Sequence, residues 1–209
     1  MAGLFVTIEG IDRSGKTTQA RLLCDALGEA AVAVREPGGT AVGERVRGLL
    51  KEPGEEIGAV AEALLFAAAR AELVARVIRP ALERGAIVVS DRFLDSSLAY
   101  QGGARGLGVE EVARVNRWAT GGLEPDLTVL LDVPVDEAAL RGGEEDRFEG
   151  EGAALQESVR AEYERLATAD PGRWRRVAGS RPVDAVHADV LAAVRTALGA
   201  RPAGAPAPA

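Results

Sequence analysis

In the segment "IEGIDRSGKTTQ", residues 8–19, Gly10 is followed after four residues by Gly15, Lys16 and Thr17. That spacing can cradle phosphate. Gly10 and Ile11 open the loop, and backbone N–H groups from Asp12, Arg13 and Ser14 through to Thr18 can surround a β-phosphate at the start of a helix, where the helix dipole also favours an anion. Lys16 can reach the β- and γ-phosphates, and the Thr17 hydroxyl can ligate Mg²⁺. The chain has 25 Gly, 14 Ser plus Thr and two Lys, Lys16 and Lys51, so chance supplies about 0.002 such matches. Nearly all other basic residues are Arg, whose planar fork does not replace a compact ammonium between phosphates.

Further charged residues stand where they can act on that phosphate. Arg13 lies inside the loop, and its guanidinium can stabilise charge on the γ-phosphate during transfer. The run Ala86-Ile87-Val88-Val89-Ser90 ends in Asp91, and Thr128-Val129-Leu130-Leu131 ends in Asp132. Each strand-end carboxylate is a candidate for holding Mg²⁺ through water; the neighbouring Arg92, which can clamp an acceptor phosphate, favours Asp91. A guanine reader of the Asn-Lys-x-Asp type is excluded, because the only Asn, Asn116, is followed by Arg117. A small-molecule kinase fits the length, and "RGGEEDRFEGEG", residues 141–152, is the candidate lid that expels water. A regulatory nucleotide-binding module is the rival, distinguished by ATP binding without acceptor dependence.

These residues need a scaffold. Five short apolar runs, 3–9, 31–35, 86–90, 127–132 and 174–178, read as strands. Segments of helical periodicity fall at 15–27, 41–50, 57–84, 109–119, 135–141, 152–168 and 183–198. Alternation of strands and helices predicts an α/β protein with a parallel sheet covered on both faces and ligands at the strands' carboxyl ends. Gly10 with its loop, "REPGG" at 35–39 and Asp91-Arg92 all fall there. The segment 57–79 is apolar on more than one face, which fits either a homodimer contact or an Ala-rich core helix.

A length of 209 residues predicts one domain, residues 1–200, with "RPAGAPAPA" at 201–209 as a disordered tail. The net charge of −7 argues against a nucleic-acid partner. With no membrane-length apolar stretch, no signal-peptide layout and one cysteine, Cys24, a soluble cytoplasmic protein is expected.

Together the motifs resemble the thymidylate kinase family. The resemblance is carried by "IEGIDRSGKTTQ" at 8–19, "REPGGT" at 35–40, "LLFAAARAE" at 64–72, "SDRFLDSSLAYQG" at 90–102 and "DRFEGEG" at 146–152. It implies a three-layer P-loop kinase fold with a central five-stranded parallel sheet, and ATP-dependent phosphorylation of dTMP to dTDP with Mg²⁺. It also implies residue roles. Asp12 is similar to the carboxylate near the dTMP 3′-hydroxyl, Phe66 to the ring stacked on thymine, and Arg70 to the donor to the base carbonyl. Arg35 and Arg92 are similar to the acceptor-phosphate arginines. Ser97, Tyr100 and Gln101 match positions lining the nucleoside pocket. Phe93 departs from the family's Tyr. The family places its transfer-assisting Arg in the loop or the lid; Arg13 and a lid with only Arg141 and Arg147 resemble the loop arrangement, while Arg147 keeps the other open. Phe148 stands where some members have Tyr.

Overall fold

The computed structural model describes residues 3–52, 56–142 and 152–200. Arg147, Phe148, most of the expected lid and the 201–209 tail lie outside the described residues.

Five strands form one parallel sheet: β1 (Leu4–Glu9), β2 (Ala31–Arg35), β3 (Ile87–Asp91), β4 (Leu127–Asp132) and β5 (Trp174–Ala178), in the spatial order β2-β3-β1-β4-β5. Side chains of β1 alternate as a strand buried on both faces requires. Leu4, Val6 and Ile8 join Leu23 of α1 (Lys16–Leu27) and Val186, Val190 and Val194 of α9 (Val183–Gly199) in one core. Phe5 points to the opposite layer, packing with Leu73, Ile78, Val88 and Phe93. A third cluster holds Tyr100, Val159 and Tyr163 against Leu130 and Trp174. The sheet is thus sandwiched between two helical layers.

The order places β1 at the switch point, with β3 on one side and β4 on the other, where a ligand crevice opens at the carboxyl ends. Across the β1–β3 register Ile8 faces Asp91, and across β2–β3 Arg35 faces Asp91. Register alone therefore brings the loop, Arg35 and Asp91-Arg92 to one edge.

The other helices are α2 (Ala41–Lys51), α3 (Ala59–Leu73), α4 (Arg79–Glu83), α5 (Leu94–Ser97), α6 (Val109–Thr120), α7 (Val135–Ala139) and α8 (Ala153–Ala169). The expected 57–84 helix is α3 and α4 joined by a π-helical stretch, Val74–Ile78. Residues 94–104 lie outside the segments of helical periodicity, and there α5 runs into a π-helical segment, Leu98–Ala104. Leu98 to Gly102 are all buried there, and five consecutive buried residues give no amphipathic pattern. No helix among the described residues is long and apolar enough to cross a membrane.

Candidate active site

The loop between β1 and α1 takes its shape from glycines. Gly10 has φ 148°, and a Cβ there would stand 2.7 Å from Ser14 Oγ and 2.8 Å from the Leu131 carbonyl. Gly15, with φ 98°, caps α1 in the left-handed region. Lys16 is buried, and its Nζ donates to the Ile11 carbonyl at 2.6 Å and to Ser14 Oγ at 3.3 Å. Burial, reinforced by the Arg92 charge, lowers the Lys16 ammonium to about 8. An ammonium held this way gains when phosphate oxygens arrive.

Two cavities meet at this lysine. One, of about 280 Å³, is lined by Asp12, Arg13, Lys16, Thr17, Arg35, Phe66, Asp91, Arg92, Ser97, Tyr100 and Gln101, together with Glu36, Pro37, Arg47, Lys51 and Ser96. Of the sequence-based acceptor residues only Arg70 is absent from that lining. The second, of about 540 Å³, lies across the loop between Gly15, Thr18, Arg141, Gly179 and Arg181. Arg13, Lys16 and Thr17 border both.

Arg92 organises the first cavity. Among the described residues Arg13 (φ 60°) and Arg92 (φ 70°) are the non-glycine residues at positive φ, a conformation that costs about 1–2 kcal/mol for such side chains. The turn at Arg92 is held by its own N–H on the Ile8 carbonyl (3.1 Å) and by Ser90 Oγ donating to its carbonyl at 2.6 Å. Its guanidinium donates to the Gly10 carbonyl at 3.2 Å and Ser96 Oγ at 3.0 Å, and pairs with the Asp12 carboxylate. Burial would raise the Asp12 carboxyl, but Arg92 and Lys16 hold it below the ordinary value.

Thr17 Oγ1 donates to Asp91 Oδ2 at 2.5 Å, which brings the two expected metal residues together. Asp132, the other candidate, accepts from Arg160 at 2.9 and 3.1 Å and from Arg176 at 2.9 Å, so its charge is already matched. Among the described residues no cluster of three or more His, Cys, Asp or Glu could hold a metal alone. The Thr17–Asp91 pair instead suits an ion taking most of its ligands from nucleotide phosphates and water.

Arg70 lies deeper than the residues that line the cavity. It is 1% exposed and donates to Glu36 (2.7 Å from Nε), Ser97 Oγ (3.1 Å) and the Phe93 carbonyl (3.2 Å), with a further short bond to Asn116. It stands one side chain behind Ser97 rather than in the lining. Phe66, at the i, i+4 relation, is half-buried and lines the cavity, whereas Arg70 is buried and absent from the lining. Phe93 is fully buried, edge-on to Phe5 at 4.8 Å, with the Arg70 guanidinium 5.5 Å from its ring centre. A Tyr hydroxyl at 93 would enter this packed interior.

Several participants escaped the sequence. Glu9 is wholly buried at the end of β1, accepting from Phe93 N–H (2.7 Å), Ser96 Oγ (2.6 Å) and Tyr163 OH (2.8 Å). Burial, with Asp95 adding, raises its carboxyl to about 7 against the pull of Arg92. Gln156 of α8 binds Asp12 twice, its Oε1 accepting from Asp12 N–H at 3.1 Å and its Nε2 donating to Asp12 Oδ2 at 2.7 Å. Arg141 donates to the Ser14 carbonyl at 3.1 Å and the Gly179 carbonyl at 2.8 Å. Lys51, the other of the two lysines, also lines the first cavity, and no spacing in the sequence marked it.

The Thymidylate kinase family model matches residues 8–190. This chain belongs to the thymidylate kinase family. It is 50% identical over 209 residues to the thymidylate kinase of Desulforudis audaxviator, covering 97% of this chain and 95% of that one. The thymidylate kinase of Symbiobacterium thermophilum is 46% identical over 208 residues, with 97% of each chain covered. Among solved structures, the crystal structure of thymidylate kinase from Ehrlichia chaffeensis superposes with a TM-score of 0.78 at 32% identity, covering 93% of this chain and 99% of that one. The sheet and flanking layers are those of the P-loop kinase fold, and the chain is a thymidylate-kinase-type phosphotransferase.

Proposed function

We propose that this chain transfers the γ-phosphoryl group of ATP in line to dTMP, giving ADP and dTDP. The observation that carries this reading is the meeting of the two cavities at Lys16, Arg13 and Thr17. ATP lies with its phosphates in the loop and its base toward Arg141 and Gly179. The acceptor lies in the first cavity, its phosphate between Arg35 and Arg92, its sugar near Asp12 and Tyr100, and its base between Phe66 and the Ser97–Gln101 side. Arg70 closes the base end behind Ser97.

An acceptor-phosphate oxygen attacks the γ-phosphorus. The bond to the β,γ-bridging oxygen breaks, and its electron pair leaves on ADP. No protein base is needed, because the attacking oxygen is already anionic. Lys16 and Arg13 neutralise charge on the transferring group, while Arg92 holds the acceptor oxygen in line. Thr17 and Asp91 would hold Mg²⁺, which would supply further charge neutralisation. Arg147 is the alternative source of the transfer-assisting guanidinium.

We further infer one catalytic domain over residues 1–200, working in the cytoplasm as a homodimer. Support for the dimer is an exposed apolar stripe on α3, Val60 and Leu64 at 62% and 53% exposure, beside Val42 and Leu49 on α2.

The test is ADP production from ATP and Mg²⁺ with dTMP, dUMP, dCMP, AMP, thymidine or no acceptor. Production that depends on dTMP is expected. Slow production indifferent to the acceptor would overturn the reading and favour a nucleotide-binding regulatory module.

A further inference from the structure

Gln101 reaches the acceptor cavity from the π-helical segment, and what fixes its amide lies outside that cavity. Gln101 Nε2 donates to Glu62 Oε1 at 2.8 Å. Glu62, in the first turn of α3, is fully buried and absent from the lining. Its carboxylate is gripped bidentately by Arg105, Nε on Oε1 at 3.2 Å and Nη2 on Oε2 at 3.1 Å. A carboxylate so paired is ionised and only accepts. Gln101 must therefore turn its NH₂ toward Glu62, and its carbonyl oxygen falls on the other side. That oxygen accepts no hydrogen bond from the described residues and is not among the sealed, partnerless polar atoms, so it opens onto the cavity that Gln101 lines.

The two possible amide orientations select opposite bases. A carbonyl oxygen matches a pyrimidine with a ring N–H at position 3, as in thymine and uracil. Cytosine presents a lone pair there, which would meet the oxygen unpaired and repelled. We propose that Glu62 is a specificity-determining positioning residue: by fixing the Gln101 amide, it makes the acceptor site accept N3–H pyrimidine nucleotides and reject cytosine nucleotides. This rests on the dTMP reading above. Glu62 never touches the substrate; it acts through the rotamer of Gln101, and Arg105 keeps it charged.

The experiment compares kcat/KM for dTMP and dCMP in the full chain and in Glu62→Gln. An amide at 62 can accept or donate, so Gln101 is free to turn. The wild type is expected to prefer dTMP by roughly 10²-fold or more, and the variant to lose about tenfold or more of that ratio through a gain with dCMP. KM for ATP is expected to stay unchanged, since the donor subsite lies across the loop. A folded variant whose dTMP-to-dCMP ratio equals that of the wild type would overturn the role of Glu62, because damage to packing alone lowers both substrates together. If Glu62→Gln does not fold, the crystal structure of the wild type with dTMP decides. Gln101 Nε2 on Glu62 with its oxygen on base N3 supports the proposal; an amide turned away from Glu62 overturns it. A wild type that phosphorylates no pyrimidine nucleotide would instead sink the parent reading, a result distinct from either.

Discussion

The two cavities on either side of Lys16 are built from different materials. The acceptor side is a wall of side chains held by others: Arg92 by Asp12 beside it, Ser97 by Arg70 and Gln101 by Glu62 behind. The donor side is bordered by the loop residues from Arg13 to Gln19, by Gly179 and Arg181, and by an Arg141 that binds backbone carbonyls. Its volume, about 540 Å³, is nearly twice the 280 Å³ of its neighbour. Backbone amides fit any nucleotide's phosphates, whereas buttressed side chains discriminate between acceptors. Selectivity in this kinase is therefore expected to reside on the acceptor side.

The largest effect is expected where the sides meet. Lys16→Met should lower kcat by about 10³-fold or more while leaving dTMP affinity nearly unchanged, since its ammonium serves the transferring phosphate. Turnover near that of the wild type, with calorimetric dTMP binding intact, would break the division at Lys16. Next come substitutions confined to one side. Arg92→Met should reduce kcat/KM for dTMP by about 10²-fold, with KM for ATP little changed. Arg141→Ala should do the reverse, raising KM for ATP about tenfold and sparing dTMP. Steady-state kinetics with each substrate varied separates the two, and a variant that shifts both KM values equally would dissolve the comparison.

The smallest effect concerns stability. Glu9 lies beneath the acceptor wall with its carboxyl raised to about 7 from 4.5. Between those values the folded chain holds a proton that the unfolded chain releases. The stabilisation is complete below pH 4.5 and lost as pH rises through 7, by up to about 3 kcal/mol. Urea unfolding at pH 5 and pH 8 should show a smaller difference in Glu9→Gln than in the wild type. An unchanged difference would remove Glu9 from the account.

The same contrast explains what the sequence disclosed. Strands, sheet class and loop were legible because apolar runs and glycine spacing are local signals. Arg35, Phe66, Asp91, Arg92, Tyr100 and Gln101, which line the first cavity together, were visible in the sequence because they are distinctive side chains in short motifs. The layer behind them was not. Glu62 meets Gln101 across 39 positions and Gln156 meets Asp12 across 144, partnerships that only the fold creates. Arg70 shows the same limit, since its spacing placed it beside Phe66 but depth depended on Glu36 and Asn116. On the donor side the loop was legible but its far edge was not, because a carbonyl such as that of Gly179 leaves no mark on residue type. The π-helical stretch 98–104 was missed because burial on every side erases the period of 3.6.

The two cavities are proposed as halves of one line of direct transfer. ATP made chiral at the γ-phosphorus with oxygen isotopes tests it most directly, by the configuration recovered in the dTDP product. A single in-line displacement predicts inversion. Retention would require two displacements through a phosphorylated protein side chain and would contradict the account.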